Sequence, residues 1–421
     1  MVGGASMNRF AAALLAVLLL LSLLGCGAAP EEEPPAAAET VEPTLPAEPA
    51  IQEEPIPEPE PEPTPEELAA QEIDQLLASL TLEEKVGQLF FVRCPAANAV
   101  EDVGTYHLGG YVLFGRDVKD ADGNWLTKEQ FVETVQSYQA AAAADTGIPL
   151  LIGADEEGGI VRRLSANPNL VPQQWFRSPQ WMWNNQYEDG NIFAEFTWEG
   201  TAFLLDCGLN VNLAPVADVA TDPSSFIYDR TLGQDAETTA EYVWAVVSAI
   251  VNSGVGSVMK HFPGYGHNVD THTGIAVDER PYEQFVSEDF LPFASGMEAG
   301  VDHLGRQRAA VLMSHNIVTC MDETLPASLS PEVHRVLREE LEFDGVVMTD
   351  DLAMDAVSAY AKDGAVAVMA IESGNDLVLT SDYRTQIPKV LEAVENGTLE
   401  EAVIDTACHR VLTWKQALGL L

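Results

Sequence analysis

Three of the eight histidines lie between Lys260 and His272, in the run KHFPGYGHNVDTH, beside one lysine and one aspartate. The proline and glycines of this run favour a loop, so its side chains can reach over neighbouring elements. Asp270 and His272 stand two apart. In an extended or turning loop that spacing lets the carboxylate hold one imidazole nitrogen while the other faces a substrate. Such a pair donates and retakes a proton near neutral pH. An ordinary Asp–His surface contact has the same spacing, so the pair alone is only a candidate. A second candidate is the carboxylate couple in VVMTDDLAM. Asp351 suits the cap of a helix starting near Leu352, which leaves Asp350 as the reactive group. No HExxH or comparable ligand spacing occurs, and the histidines are mixed with a lysine, so no metal site is expected.

Eight short, β-branched and nearly continuous apolar runs offer a frame for these groups: residues 88–92, 110–114, 149–155, 210–219, 255–262, 310–318, 345–351 and 376–380. Runs of this kind suit parallel strands covered on both faces. Helical intervals separate them. Capping boxes are predicted at Thr81 with Glu84 and at Thr127 with Gln130, and Ser330 is placed to cap a helix with Pro331 in its first turn. Eight strands alternating with helices predict an α/β fold, a single (β/α)8 TIM-type barrel, with a doubly wound open sheet as the alternative. Neither GxGxxG nor GxxxxGK[ST] is present to mark a nucleotide site. A barrel demands its chemistry at the C-terminal ends of the strands. Polar residues gather there: Asp155, Asp218, Lys260, His261, His315, Asp350 and Asp351.

The chain has 421 residues and a formal net charge of -45. That charge excludes nucleic acid as a partner, because phosphate binding rests on Lys and Arg. Arg9 precedes an apolar run from Phe10 to Leu24, too short and too poorly flanked for a membrane span. The run ends in LLGC, which resembles the lipobox of bacterial lipoproteins. Residues 1–26 are therefore expected to be a signal segment, with Cys26 as the lipidated N-terminus on the outer face of a bacterial membrane. Residues 27–66, rich in Pro, Glu and Ala, are expected to form a disordered, self-repelling tether, and 67–421 the catalytic domain. Cys94, Cys207, Cys320 and Cys408 show no ligand spacing and are expected to be buried free thiols.

From about Leu77 onward the sequence resembles family 3 glycoside hydrolases, of the bacterial β-N-acetylglucosaminidase (β-N-acetylhexosaminidase) branch. VLREELEFDGVVMTDDLAM is similar to that family's active-site signature, in which the aspartate after Ser/Thr is the nucleophile; here that is Asp350. ADEEGGIVRRL resembles a substrate-binding segment and implies sugar contacts for Asp155 and Arg163. NLAPVADV followed by IYDRTLG offers Arg230. KHFPGYG resembles KHFPGHG, with Lys260 and His261 as hydroxyl ligands and Tyr265 standing where the family has histidine. The resemblance makes His272 the acid/base and Asp270 its partner, two residues earlier. It implies retaining, exo-acting removal of terminal β-linked N-acetylglucosamine from cell-wall or other glycan fragments, with no cofactor and a monomeric chain. The DTH motif separates this branch from β-glucosidases and xylosidases. A sugar-binding lipoprotein would need neither Asp350 nor the Asp270–His272 pair. Trp175, Trp181 and Trp183 mark an aromatic insertion that suits either sugar stacking or a helical cover.

Overall fold

The computed structural model describes residues 63–187, 190–266, 268, 274–302, 304–358, 360 and 365–421. Cys26, the expected signal segment, tether residues 27–62, Asp270 and His272 lie outside these residues. Helical structure begins at Pro65, just ahead of the expected boundary at 67. Thr64 and Glu67 form a reciprocal capping box there, and proline occupies the first turn. The boxes at Thr81 and Thr127 form as predicted, and Ser330 caps the helix Pro331–Arg335. No helix among the described residues is long and apolar enough to cross a membrane.

The strands are β1 (Phe90–Arg93), β2 (Gly110–Leu113), β3 (Leu151–Ala154), β4 (Val211–Asn212), β5 (Gly256–Phe262), β6 (Val277–Asp278), β7 (Ala309–Met313), β8 (Ile317–Val318), β9 (Val347–Thr349) and β10 (Val378–Thr380). Eight of them form one parallel sheet in the order β10-β1-β2-β3-β4-β5-β7-β9. The two ends of that order meet: the Thr349 amide donates to the Leu377 carbonyl at 3.1 Å, and Met348 bridges Leu377 in parallel. The sheet thus closes into a barrel of the TIM type.

The regular strands are shorter than their apolar runs, two of them for a visible reason. The run 210–219 keeps only Val211–Asn212 as regular strand, since Pro215 has no amide for the ladder. The run 310–318 splits after Met313. Its last part, β8, leaves the barrel and pairs with β6.

Side-chain parity decides what faces the barrel interior. Phe91, Val112, Leu151, Leu213, Val258, Leu312, Met348 and Leu379 pack into one internal cluster, joined by Val411 and Trp414 of the C-terminal helix Glu401–Ala417 and by its C-cap Leu418. Their strand neighbours Phe90, Val92, Tyr111 and Ile152 face the helices instead. A strand repeats every two residues, so the next inward positions toward the C-terminal ends are Arg93, Phe114, Lys260 and Asp350, with Asp155 in the same phase on β3. All five line one cavity.

The four described cysteines are free; Cys94, Cys207 and Cys408 are buried, whereas Cys320 is exposed, contrary to expectation. It follows β8, where the chain has already left the barrel. The aromatic insertion forms a helix, Pro179–Asn184, against the helix Ile192–Asp206. Trp175 and Trp181 both pack on Phe196, and the Arg177 guanidinium lies over Trp181.

Candidate active site

A cavity of about 400 Å³ opens at the C-terminal ends of the barrel strands, with Asp155, Arg163, Arg230, Lys260, His261 and Asp350 in its wall. These six sequence-predicted residues come from four separate parts of the chain. The larger hollow at the opposite end, about 570 Å³, is lined by Arg306, Asp344 and Arg410 among others. Its arginines are taken up by ion pairs with Asp302, Asp344 and Asp376.

The three successive carboxylates after β3 separate because the chain turns sharply behind them. Gly158 has φ 82°, and a Cβ there would lie 2.1 Å from the Arg177 carbonyl oxygen, so only glycine fits. Asp155 projects into the cavity. Glu156 turns away and braces the loop, accepting from the Ser165 hydroxyl at 2.6 Å and from the amides of Arg163 and Ser165. Glu157 turns toward β5. There the Lys260 ammonium sits 2.7 Å from Asp155 and 2.7 Å from Glu157. Arg163 reaches the other Asp155 oxygen at 3.2 Å.

Burial by itself would push all these charges toward neutrality. For Asp155 it is outweighed by Lys260, which with Arg163 holds the carboxyl below its ordinary range. For Glu157 it is outweighed by Lys260 and Arg230, and the carboxyl falls to about 2. Lys260 is pushed up in turn: burial opposes its charge, but Asp155 and Glu157 more than compensate. The network is therefore fully ionised at neutral pH.

His261 is held in one tautomer. Its Nδ1 lies 2.8 Å from the Asp218 carboxylate, and its Nε2 lies 3.3 Å from the Arg230 guanidinium. Arginine only donates, so Nε2 carries the lone pair and Nδ1 the proton. Asp218 also accepts the amides of His261 and Tyr265, fixing the start of the loop after β5.

Asp350 directly follows β9. Its amide donates to the Met313 carbonyl of β7, and its carboxylate accepts the Asp351 amide at 2.8 Å. Burial would raise this carboxyl; the imidazoles of His315 and His261, the Asp351 amide and Lys260 hold it below its ordinary range. Burial lowers His315 below its ordinary value, against the opposing pull of the Asp350 and Asp351 carboxylates. Its Nε2 donates to the Asp351 carbonyl at 3.1 Å, and its Nδ1 lies 2.7 Å from the Ser328 hydroxyl. Asp351 does not cap a helix at Leu352. Its carboxylate accepts the Ala353 amide within a turn, and the next helix starts at Asp355.

Asp270, His272 and Cys26 fall outside the described residues. Glu157 was missed by sequence reasoning, although the triple DEE at a strand end was a visible signal. The sequence marks Asp218 and His315 only as strand-end polar residues; the structure gives each a defined partner. Among the described residues no group of three or more His, Cys, Asp or Glu is arranged to hold a metal ion. The arrangement can bind a polyhydroxylated ring through alternating donors and acceptors while presenting one ionised carboxylate, Asp350, to a reacting atom.

The sequence profile described as "Glycosyl hydrolase family 3 N terminal domain" matches residues 81–414. A beta-hexosaminidase of Hydrogenovibrio crunogenus is 31% identical over 304 residues, covering 70% of this chain and 78% of its own. Among solved structures, a glycoside hydrolase family 3 beta-N-acetylglucosaminidase from Paenibacillus superposes with TM-score 0.72 at 30% identity, over 81% of this chain and 63% of that one. A beta-N-acetylhexosaminidase from Beutenbergia cavernae superposes with TM-score 0.68 at 31% identity, over 81% of this chain and 99% of that one.

Proposed function

This chain belongs to glycosyl hydrolase family 3 and is a glycoside hydrolase; on that premise we propose that it is a retaining, exo-acting β-N-acetylglucosaminidase. Its substrates are cell-wall or other glycan fragments ending in β-linked N-acetylglucosamine. The observation that carries this reading is Asp350, an ionised carboxylate two positions above Met348 in the inward phase of the barrel, opening on the cavity.

In this mechanism Asp350 attacks the anomeric carbon while His272 protonates the departing glycosidic oxygen. A glycosyl–aspartate ester forms, and His272 then takes a proton from the water that cleaves it. Asp270 holds the imidazole of His272. Asp155, Arg163, Arg230, Lys260 and His261 grip the hydroxyls of one terminal sugar. Their rigid ion pairs favour this role, because each presents its remaining donor or acceptor without reorganisation. The names of the related hexosaminidases support the acetamido sugar.

The LLGC sequence supports anchoring through a lipid on Cys26, which places the enzyme outside the cytoplasm at a bacterial membrane.

The test compares nitrophenyl β-N-acetylglucosaminide with nitrophenyl β-glucoside, using wild type and Asp350→Ala. Preference for the acetamido sugar, abolished in the variant, is the expected result. Preference for the glucoside overturns the sugar assignment. Full activity in the variant overturns the nucleophile.

A further inference from the structure

The loop after β5 leaves the barrel at Gly264 and returns at β6. Both stems converge on one guanidinium. Arg280 donates from Nε and Nη2 to the Asp278 carboxylate of β6 at 2.9–3.1 Å, and from Nη1 to Asp289 at 2.7 Å. Its Nη2 also reaches the Gly264 carbonyl at 3.3 Å, and its plane lies over Phe285. Asp278 in turn accepts the Asn268 side-chain amide at 2.9 Å, so the outgoing stem is tied to the returning one a second time.

The backbone is shaped around this cation. A Cβ at Gly264 would lie 2.1 Å from Asp289 Oδ1, and one at Gly266 would lie 2.7 Å from the Arg280 guanidinium. The returning stem is also stitched to β8, since the Ile317 amide donates to the Ala276 carbonyl and the Thr319 amide to the Asp278 carbonyl, each at 2.9 Å. Asp278 and Asp289 are buried, and Arg280 is their shared cation.

We propose that Arg280 is a positioning residue for catalysis: by locking both stems of the segment that carries Asp270 and His272, it sets where the acid/base can reach. The inference rests on the reading of His272 given above. Arg280 lines no part of the cavity that holds Asp350. It acts through the chain length left between its two anchors, because fixing both ends of a short segment restricts the positions its middle can take. Arginine suits this task, since its planar fork serves two carboxylates and a carbonyl together. Lysine carries the same charge but lacks that fork.

Arg280→Lys tests the idea with kcat/KM on phenyl and on 2,4-dinitrophenyl β-N-acetylglucosaminide, which reports the step that expels the aglycone. A misplaced acid hurts only the leaving group that needs a proton. The expected loss is about 10–100-fold for the phenyl substrate, a share of the full contribution of a general acid, and under about threefold for the dinitrophenyl substrate. Binding of N-acetylglucosamine should be unchanged. Equal losses on both substrates, no loss on either, or weakened N-acetylglucosamine binding would overturn the proposal. Asn268→Ala removes one tie without uncovering a buried charge, and should show the same selective loss at about fivefold. If Arg280→Lys does not fold, Asn268→Ala decides the matter by the same criteria. His272→Ala run in parallel separates the two claims: without a leaving-group-selective loss in that variant, the assignment of His272 falls, and the role of Arg280 falls with it.

Discussion

Glu157 holds Arg230 in a two-bonded fork, at 2.9 Å to Nε and 2.7 Å to Nη2, while the same carboxylate lies 2.7 Å from Lys260. One buried anion thus orients two cations of the cavity wall. Removing it leaves Arg230 without its ion-pair partner and Lys260 with Asp155 alone, in a low-dielectric setting.

Glu157→Gln should therefore cost about 3 kcal/mol of stability at neutral pH, as breaking a buried pair does. The sign with pH follows from the depressed carboxyl. It is held at about 2 when folded against an ordinary 4.5, so its stabilisation is complete above pH 4.5 and is lost as pH falls toward 2. Urea unfolding of wild type and variant should differ most above pH 5 and converge in strong acid.

Lys415 is wholly buried, with the Gln88 side-chain carbonyl at 2.7 Å as its partner. Burial pushes its ammonium down to about 7 from an ordinary 10.5. Between those values the unfolded chain binds the extra proton, so wild-type stability rises with pH across that window. Lys415→Met should stabilise the protein by about 2 kcal/mol at pH 7, with the gain shrinking toward pH 10.5. Chemical denaturation at pH 7 and pH 10 checks both halves.

Asp218 holds the His261 ring and two loop amides, and Asp218→Ala frees all three. Loss of a fixed sugar ligand should raise KM about tenfold with a smaller change in kcat. Asp218→Asn keeps an acceptor and should recover part of that loss. Steady-state kinetics on nitrophenyl β-N-acetylglucosaminide reads both variants.

A fluorinated N-acetylglucosaminyl fluoride that slows the second step should accumulate a covalent adduct. Peptide mass spectrometry should place the added mass on Asp350 in wild type and find none in Asp350→Asn. Labelling at another carboxylate would remove Asp350 as nucleophile.

Lipid anchoring predicts that the full chain, expressed in a bacterium, partitions into the detergent phase. Cys26→Ala should move it to the aqueous phase with activity retained. Aqueous partitioning of both proteins would reject the anchor.

Much of the architecture was legible because local pattern controls it. Parallel strands covered on both faces must be apolar throughout, so the eight runs could be found without knowing their partners. The capping boxes at Thr81 and Thr127 use residues three apart and need no tertiary context. Asp350 and Lys260 were legible for a related reason: a polar residue ending an apolar run lies at the mouth of a barrel. Where the runs stop was harder to read. Hydropathy continues through 310–318, yet the pairing with β5 ends at Ser314, whose amide makes the last bond to the Phe262 carbonyl before the chain turns to pair with β6.

The sequence by itself determined the strand runs, the likeness to a hydrolase family and the residues standing at the strand ends. Only the tertiary structure decided how those residues share their charges. Glu157 meets Arg230 across 73 positions, and Asp155 meets Lys260 across 105. Such pairings exist only once the barrel has closed and brought distant strand ends around one cavity. The tautomer of His261 and the anchoring of two loop stems on Arg280 are consequences of the same closure: each depends on donors and acceptors that chain order keeps apart.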